Sequence, residues 1–211
     1  MVFRIDLHVH TLHSGDNEAA PEEMVEKAIS LGLEGIAFTE HYSYSASDYV
    51  DSLIKRYGTM IRIFRGVEIS SADGHILVYG LDTDDLGLGG VPARDVLRQV
   101  SERGGVAIPS HPYRRGSSLG DQIRGMDAID ALEGYNGCNL HSMNMMAIEA
   151  AASMGLPFTG GSDAHSPSEV GSCYTEFPEK INAENFIDAL KAGRYTGRDV
   201  RKISRMTLPI L

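Results

Sequence analysis

The chain reads as an α/β protein with a mainly parallel sheet, most simply a reduced or distorted barrel. Short apolar runs alternate with segments of helical period from end to end, and that alternation builds parallel sheets. The length of 211 residues falls short of the about 250 that an eight-fold β/α barrel takes. His, Asp and Glu also recur just past the apolar runs, where parallel α/β folds place their sites. A doubly wound open sheet fits the same periodicity.

The strand candidates, in order, are Phe3–Val9, Gly35–Thr39, Arg62–Ser70, His75–Leu81, Gly105–Ser110, Ala128–Tyr135, Pro157–Gly160 and Ser172–Phe177. Each is too short and too continuously apolar for a surface helix. Pro21–Leu31 reads as a helix because Pro21 opens it and two Glu follow, a choice that suits unpaired N–H groups at a helix start. Ala93–Arg103, Ser142–Met154 and Ala183–Ala192 share that period, and Gly32, Gly104, Gly155 and Gly193 follow as stops. Asp73-Gly74 before His75 is a turn signal.

Composition narrows the function. Lys and Arg number 19 against 29 Asp and Glu, a net charge of −10. That balance disfavours non-specific binding to nucleic acid or anionic membrane. No stretch reaches the roughly 18 apolar residues of a membrane span, so no membrane partner is expected. The first residues lack a basic region followed by an apolar run. The two cysteines, Cys138 and Cys173, form neither a disulfide framework nor a thiolate metal knuckle. A cytoplasmic, reducing location is the expectation.

His8-Val9-His10 stands at the end of the first strand. Side chains two apart on a strand share a face, so both imidazoles can meet one ion. Taken alone, two packed or solvated histidines are the plainer reading. Asp6 lies deeper on that face, where a carboxylate could orient an imidazole. Thr39-Glu40-His41, Gly66-Val67-Glu68, Ser110-His111-Pro112 and Gly161-Ser162-Asp163-Ala164-His165 each lie where a strand gives way to a loop. Imidazole and carboxylate donors without thiolate suit Zn, Mn, Fe or Ni, and Mg less well. The candidates are His8, His10, Asp16, His41, Glu68, His75, His111, Asp163 and His165. At about four to five donors per ion with some bridging, they suffice for two or three divalent ions.

In this order the segments Asp6-Leu7-His8-Val9-His10-Thr11, Thr39-Glu40-His41, Gly66-Val67-Glu68-Ile69, Gly74-His75, Ser110-His111-Pro112 and Gly161-Ser162-Asp163-Ala164-His165 resemble the successive motifs of the PHP (polymerase and histidinol phosphatase) superfamily. The resemblance implies a distorted seven-stranded β/α barrel, (β/α)7 and TIM-like, as a single domain over residues 1–211. It implies two or three metal ions at the C-terminal edge of the strands, and phosphoester hydrolysis by a metal-bound hydroxide with no side-chain nucleophile. Position by position, His8, His10, Glu68 and Asp163 would hold a first ion. Glu68 would share a second with His75 and His111, and Asp16, His41 and His165 would hold a third. Many relatives have Ser-Asp-Gly where this chain has Ser14-Gly15-Asp16, so the acidic ligand sits one place later. Some nucleotide-hydrolysing relatives insert a cap between the segments that carry His111 and Asp163; only 52 residues separate them here, too few for one.

The expected activity is therefore a metal-dependent phosphoric ester hydrolase, a phosphatase foremost, acting on a small phosphorylated metabolite or nucleotide. Arg114 and Arg115, just past a ligand, could clamp phosphate. Asn136 and Asn139 follow the sixth strand at the same edge, Arg194 and Arg198 are weaker phosphate candidates, and His13 could protonate a leaving group. His141 and the Met143, Met145 and Met146 group read as structural, the methionines as core packing. The alternatives are an exonuclease, disfavoured by the acidic balance and the lack of a basic stripe with interleaved aromatics; an amide hydrolase; and a non-catalytic PHP-like scaffold, which lost ligands would mark.

Overall fold

The computed structural model describes residues 2–86 and 90–201. Nine strands and five helices follow in the order β1 (Phe3–Val9), α1 (Pro21–Ser30), β2 (Gly35–Phe38), α2 (Val50–Tyr57), β3 (Arg62–Ser70), β4 (His75–Tyr79), α3 (Ala93–Glu102), β5 (Val106–Pro109), β6 (Leu132–Asn136), α4 (His141–Met154), β7 (Phe158–Gly161), β8 (Cys173–Phe177), α5 (Phe186–Ala192) and β9 (Thr196–Asp199). Three short 3-10 turns join them.

One curled sheet runs β5-β4-β3-β2-β1-β8-β9, and β6 and β7 pair separately. That pair spans the gap between β5, at one end of the sheet, and β1. Asp130 N donates to Ala107 O beside β5 at 3.1 Å, while beyond β7 Asp163 N donates to His8 O at 2.7 Å and His10 N to Ala164 O at 3.0 Å. The result is the distorted seven-strand barrel of β1 to β7, with β8 paired to the first half of β1 through Phe3, Arg4 and Ile5 and β9 paired to β8.

The sheet is not mainly parallel, which corrects the expectation from alternation. Among the described strands, the ladders β1–β2, β2–β3 and β6–β7 are parallel. The β3–β4, β4–β5, β1–β8 and β8–β9 pairs are antiparallel. The cause is local: the turn at Asp73-Gly74 is too tight for a crossover, so β4 doubles back on β3 with Ser70 opposite His75.

Hydrophobic burial fixes the rest. Met24, Val25 and Ala28 of α1 and Val50, Leu53 and Tyr57 of α2 pack on Val9, Ile36, Phe38 and Ile63. Val96, Leu97 and Val100 of α3 with Ala150 and Ala151 of α4 cover Val67, Ile76, Val78, Ala107 and Leu132. A third cluster joins Ile5, Leu7, Phe64 and Val106 to Phe186 and Leu190 of α5. It draws on the starts of β1, β3 and β5 and so closes the barrel end away from the histidines. On α4 Ala147, Ala150 and Ala151 face inward, and Met145 and Met146 are exposed at 44% and 49%, not core as expected. Among the described residues no helix is long and apolar enough to cross a membrane.

Candidate metal centre

The parallel members of the barrel end at one rim, and the candidate residues gather there. His8 lies near the end of β1 with His10 just beyond it; Glu40 and His41 follow β2, Glu68 lies near the end of β3, His111 follows β5, and Asp163 and His165 follow β7. His75 starts a strand, yet it reaches the same rim because β4 runs antiparallel to β3. Gly15, at φ 80°, turns the chain so that Ser14 faces inward to His10 while Asp16 reaches His41 and His165. His111 at φ 33° and Asp163 at φ 55° hold left-handed backbone that non-glycine residues rarely adopt.

At the centre His8 Nε2 and His10 Nε2 stand 2.9 Å apart. Asp163 Oδ1 is 3.4 and 3.3 Å from them, and the Glu68 carboxylate 3.5 and 3.6 Å. Glu68 is also met by His111 Nε2 at 3.0 Å, His75 Nδ1 at 3.3 Å and His41 Nδ1 at 3.0 Å. On the open side Asp16 Oδ2 lies 3.0 Å from His41 Nε2 and 3.1 Å from His165 Nε2. Three donor groups emerge, His8-His10-Glu68, Glu68-His75-His111 and His10-His41-His165. His8, His10, Glu68, His111 and Asp163 are buried, whereas the Asp16 side chain is 41% exposed.

Electrostatics and unpaired atoms both ask for cations here. Asp6, Glu40, Glu68, Glu133 and Asp163 are all buried, and among the described arginines Arg114 alone pairs with one of them. Burial opposes ionisation of Glu68 and Asp163, but the adjoining imidazoles, His8 foremost, hold both carboxyls well below the usual range. Burial likewise opposes charge on His8, yet Asp163, Glu133 and Glu68 push its pKa well above normal. For His10 burial prevails and the pKa falls. The buried Nδ1 atoms of His41 and His75 point at Glu68 without hydrogen-bond geometry, and His111 Nδ1 has no partner. Donor separations of 3.3–3.6 Å around Asp163 and Glu68 match the edge of about 3.3 Å that four N/O ligands at about 2.0–2.1 Å make around zinc. The residues present fit divalent metal.

The surrounding hydrogen bonds select which imidazole nitrogen faces the centre. His8 Nδ1 donates to Glu133 Oε1 at 2.8 Å, and His165 Nδ1 to Asp163 O at 2.9 Å. Ser14 Oγ donates to Glu40 and so accepts from His10 Nδ1 at 3.1 Å. In all three rings Nε2 is thereby the nitrogen turned to the centre, the one a metal would take once it carries no hydrogen. Glu40 further accepts from Thr11 N at 3.1 Å, Thr11 Oγ1 at 2.8 Å and the Tyr49 hydroxyl.

Glu133 and Glu40 escaped the sequence reading. Glu40 stands in the Thr39-Glu40-His41 segment but has no role assigned there, and the one signal of Glu133 is a carboxylate in a short, largely apolar strand, with no spacing partner. Asp6 does not orient an imidazole: it accepts from Ser162 N and Gly171 N at 2.8 Å each, and burial pushes its pKa up to about 6. Arg114 turns toward the protein, binding Asp163 Oδ2, Asn136 Oδ1 at 2.9 Å and Asn139 Oδ1 at 3.0 Å. Asn136 Nδ2 is occupied as well, by Glu133 at 2.9 Å and Asp163 at 3.1 Å. Arg115 is exposed. The ring of His13 stacks on Tyr49 at 4.4 Å, apart from the converging donors. Arg194 and Arg198 pair with Glu179 and Glu176 along β8 and β9, and His141 is an exposed first residue of α4.

Comparison with known proteins gives the family and the fold. Residues 6–119 match the PHP domain family, and residues 141–195 match a family described as PHP-associated. An uncharacterised protein of Methanocaldococcus jannaschii is 30% identical over 144 residues, 63% of this chain and 81% of that protein. A 5′-3′ exoribonuclease of Salmonella typhimurium is 34% identical over 100 residues, covering 46% of this chain and 33% of the enzyme. A solved two-domain protein of Bacteroides vulgatus, described as containing a PHP-like metal-dependent phosphoesterase, superposes with TM-score 0.75 at 20% identity over 94% of this chain and 65% of that one; at that identity the likeness speaks for the fold. With more than half of the chain matched and its motif residues gathered at one barrel rim, this chain belongs to the PHP domain family.

Proposed function

We propose that the chain is a metal-dependent phosphatase acting on a small phosphorylated metabolite or nucleotide, with His8, His10, Asp16, His41, Glu68, His75, His111, Asp163 and His165 holding two or three ions. What carries this reading is the convergence of imidazole nitrogens and buried carboxylates on shared points, with Glu68 central to it. The donor set suits Zn, Mn or Fe. Divalent cations in such a set supply Lewis acidity, which ionises water near neutral pH and offsets phosphoryl charge.

The chain's own residues then have distinct tasks. The hydrogen bonds to Glu133, Ser14 and the Asp163 carbonyl keep three imidazoles in ligating form. Arg114 and Asn136 hold Asp163 Oδ2, so that Oδ1 faces the histidines. The Arg114 guanidinium also adds positive charge beside the point where a phosphoryl group would bind. Asp16 and His165 stand on the exposed side, which makes theirs the face a substrate meets first.

An exonuclease acting on nucleic-acid ends is the second reading, and the identity to the Salmonella exoribonuclease favours it. The net charge of −10 opposes it. Protein reconstituted with zinc or manganese is expected to release phosphate from small monoesters without shortening end-labelled oligonucleotides. Trimming with little monoester turnover would favour the exonuclease. His10→Ala and Asp163→Ala are each expected to lower turnover at least about 100-fold with the circular dichroism spectrum retained; near-native turnover in either removes the ligand assignment.

A further inference from the structure

Glu133 meets three donors with two oxygens. Oε1 accepts from His8 Nδ1 at 2.8 Å. Oε2 accepts from His111 N at 2.7 Å and Asn136 Nδ2 at 2.9 Å. The carboxylate is buried, so water does not substitute for a lost acceptor. One of these partners is the backbone N–H of His111, where φ is 33°; another is the amide that steadies Asp163. Glu133 thus stands beneath the centre, tied to residues of β1, β6 and the loop after β5, and through Asn136 to Asp163.

We infer that Glu133 is a positioning residue: by accepting the Nδ1 proton of His8 it fixes which nitrogen of that ring is free to ligate, while its second oxygen anchors the backbone of His111. This rests on the metal reading above. It has a consequence that a merely space-filling role lacks. Glutamine has the same shape but one acceptor oxygen, and its NH2 must then face a donor. On the His111 and Asn136 side the backbone N–H of His111 cannot change its role. On the His8 side the ring can adapt, by moving its proton from Nδ1 to Nε2. The amide therefore settles with its oxygen toward His111 and its NH2 toward His8. That arrangement leaves every hydrogen bond made, and it places a hydrogen on the nitrogen that faces His10 and Asp163. The fold survives while the ligand is disabled.

The experiment compares native protein, Glu133→Gln, His8→Ala and the double variant. Each is stripped with chelator, checked for fold by circular dichroism and titrated with zinc against a chromophoric competitor. Glu133→Gln is expected to fold as native and to bind its tightest zinc about 10–100-fold more weakly. In the His8→Ala background the same change is expected to alter zinc affinity by no more than about two-fold, because the ring it acts through is gone. Native-like zinc affinity in Glu133→Gln, or an equal loss in both backgrounds, overturns the inference. If Glu133→Gln does not fold, Glu133→Asp carries the test: it keeps two acceptors on a shorter stem, and native-like affinity in it overturns the inference too. Native protein that binds no zinc is a separate outcome, since it removes the metal reading itself and this inference with it.

Discussion

Ser14 is held between Glu40 and His10, and its hydroxyl has one hydrogen to give. Because that hydrogen goes to buried Glu40, the oxygen is left as an acceptor for His10 Nδ1. Ser14→Ala removes the acceptor and frees the imidazole to change tautomer. We expect zinc affinity to fall about 10-fold, with zinc titration as the check; unchanged affinity would show that Ser14 does not set the ring. At this scale the sequence was readable where spacing speaks. His8 and His10 share a strand face, and Asp163 and His165 sit in a motif of unusual composition. Glu133, Glu40 and Ser14 were not readable as supports, because a contact made across the barrel, from a neighbouring strand or within a loop leaves no periodic trace. Arg114 shows the same limit: its place after a ligand candidate is plain in sequence, whereas its turn toward Asp163 is shared with Asn136 at the end of β6 and Asn139 in the turn beyond it.

Elements were legible in proportion to their apolar content. β1, β3 and α1 fall within a residue of expectation. The eight-residue helix α2 is too short for periodicity to stand out, and β9, with the sequence TGRD, buries only Gly197. β4 was found but its direction was not, since alternation cannot tell a hairpin from a crossover. The hairpin matters, because it is what delivers His75 to the rim. β7 lies so close over β8 and β9 that a Cβ on Gly160 would sit 2.4 Å from Tyr174 O and 3.1 Å from Arg198 N. Backbone cannot step aside as a side-chain tip can. Gly160→Ala should therefore cost about 1–3 kcal/mol, a fall in Tm of about 2–12 °C for a domain of this size. Gly125, with nothing within 4 Å of its Cβ position, is the control. Thermal scans showing equal behaviour of the two alanine variants would contradict the close approach.

For the whole molecule, charge and stability meet at the rim. The chain as a whole carries −10, and part of that negative charge is confined in the buried carboxylates of the barrel. A cation that binds only the folded state must then stabilise it. At free zinc about 100 times its dissociation constant the gain is about 2.7 kcal/mol, which corresponds to a rise in Tm of about 5–10 °C. Scanning fluorimetry of the stripped protein with added zinc or manganese measures this, and Asp163→Ala should lose most of the shift. No shift with either metal would count against the convergence as a metal site.

His111 and Asp163 have one more consequence. At both, the main chain is wound in the hand that L-amino acids resist, and the resistance is offset by packing elsewhere in the barrel. On the metal reading proposed above, durability and reactivity are set against each other at these two residues. Glycine at either place would calm the backbone and give up a ligand.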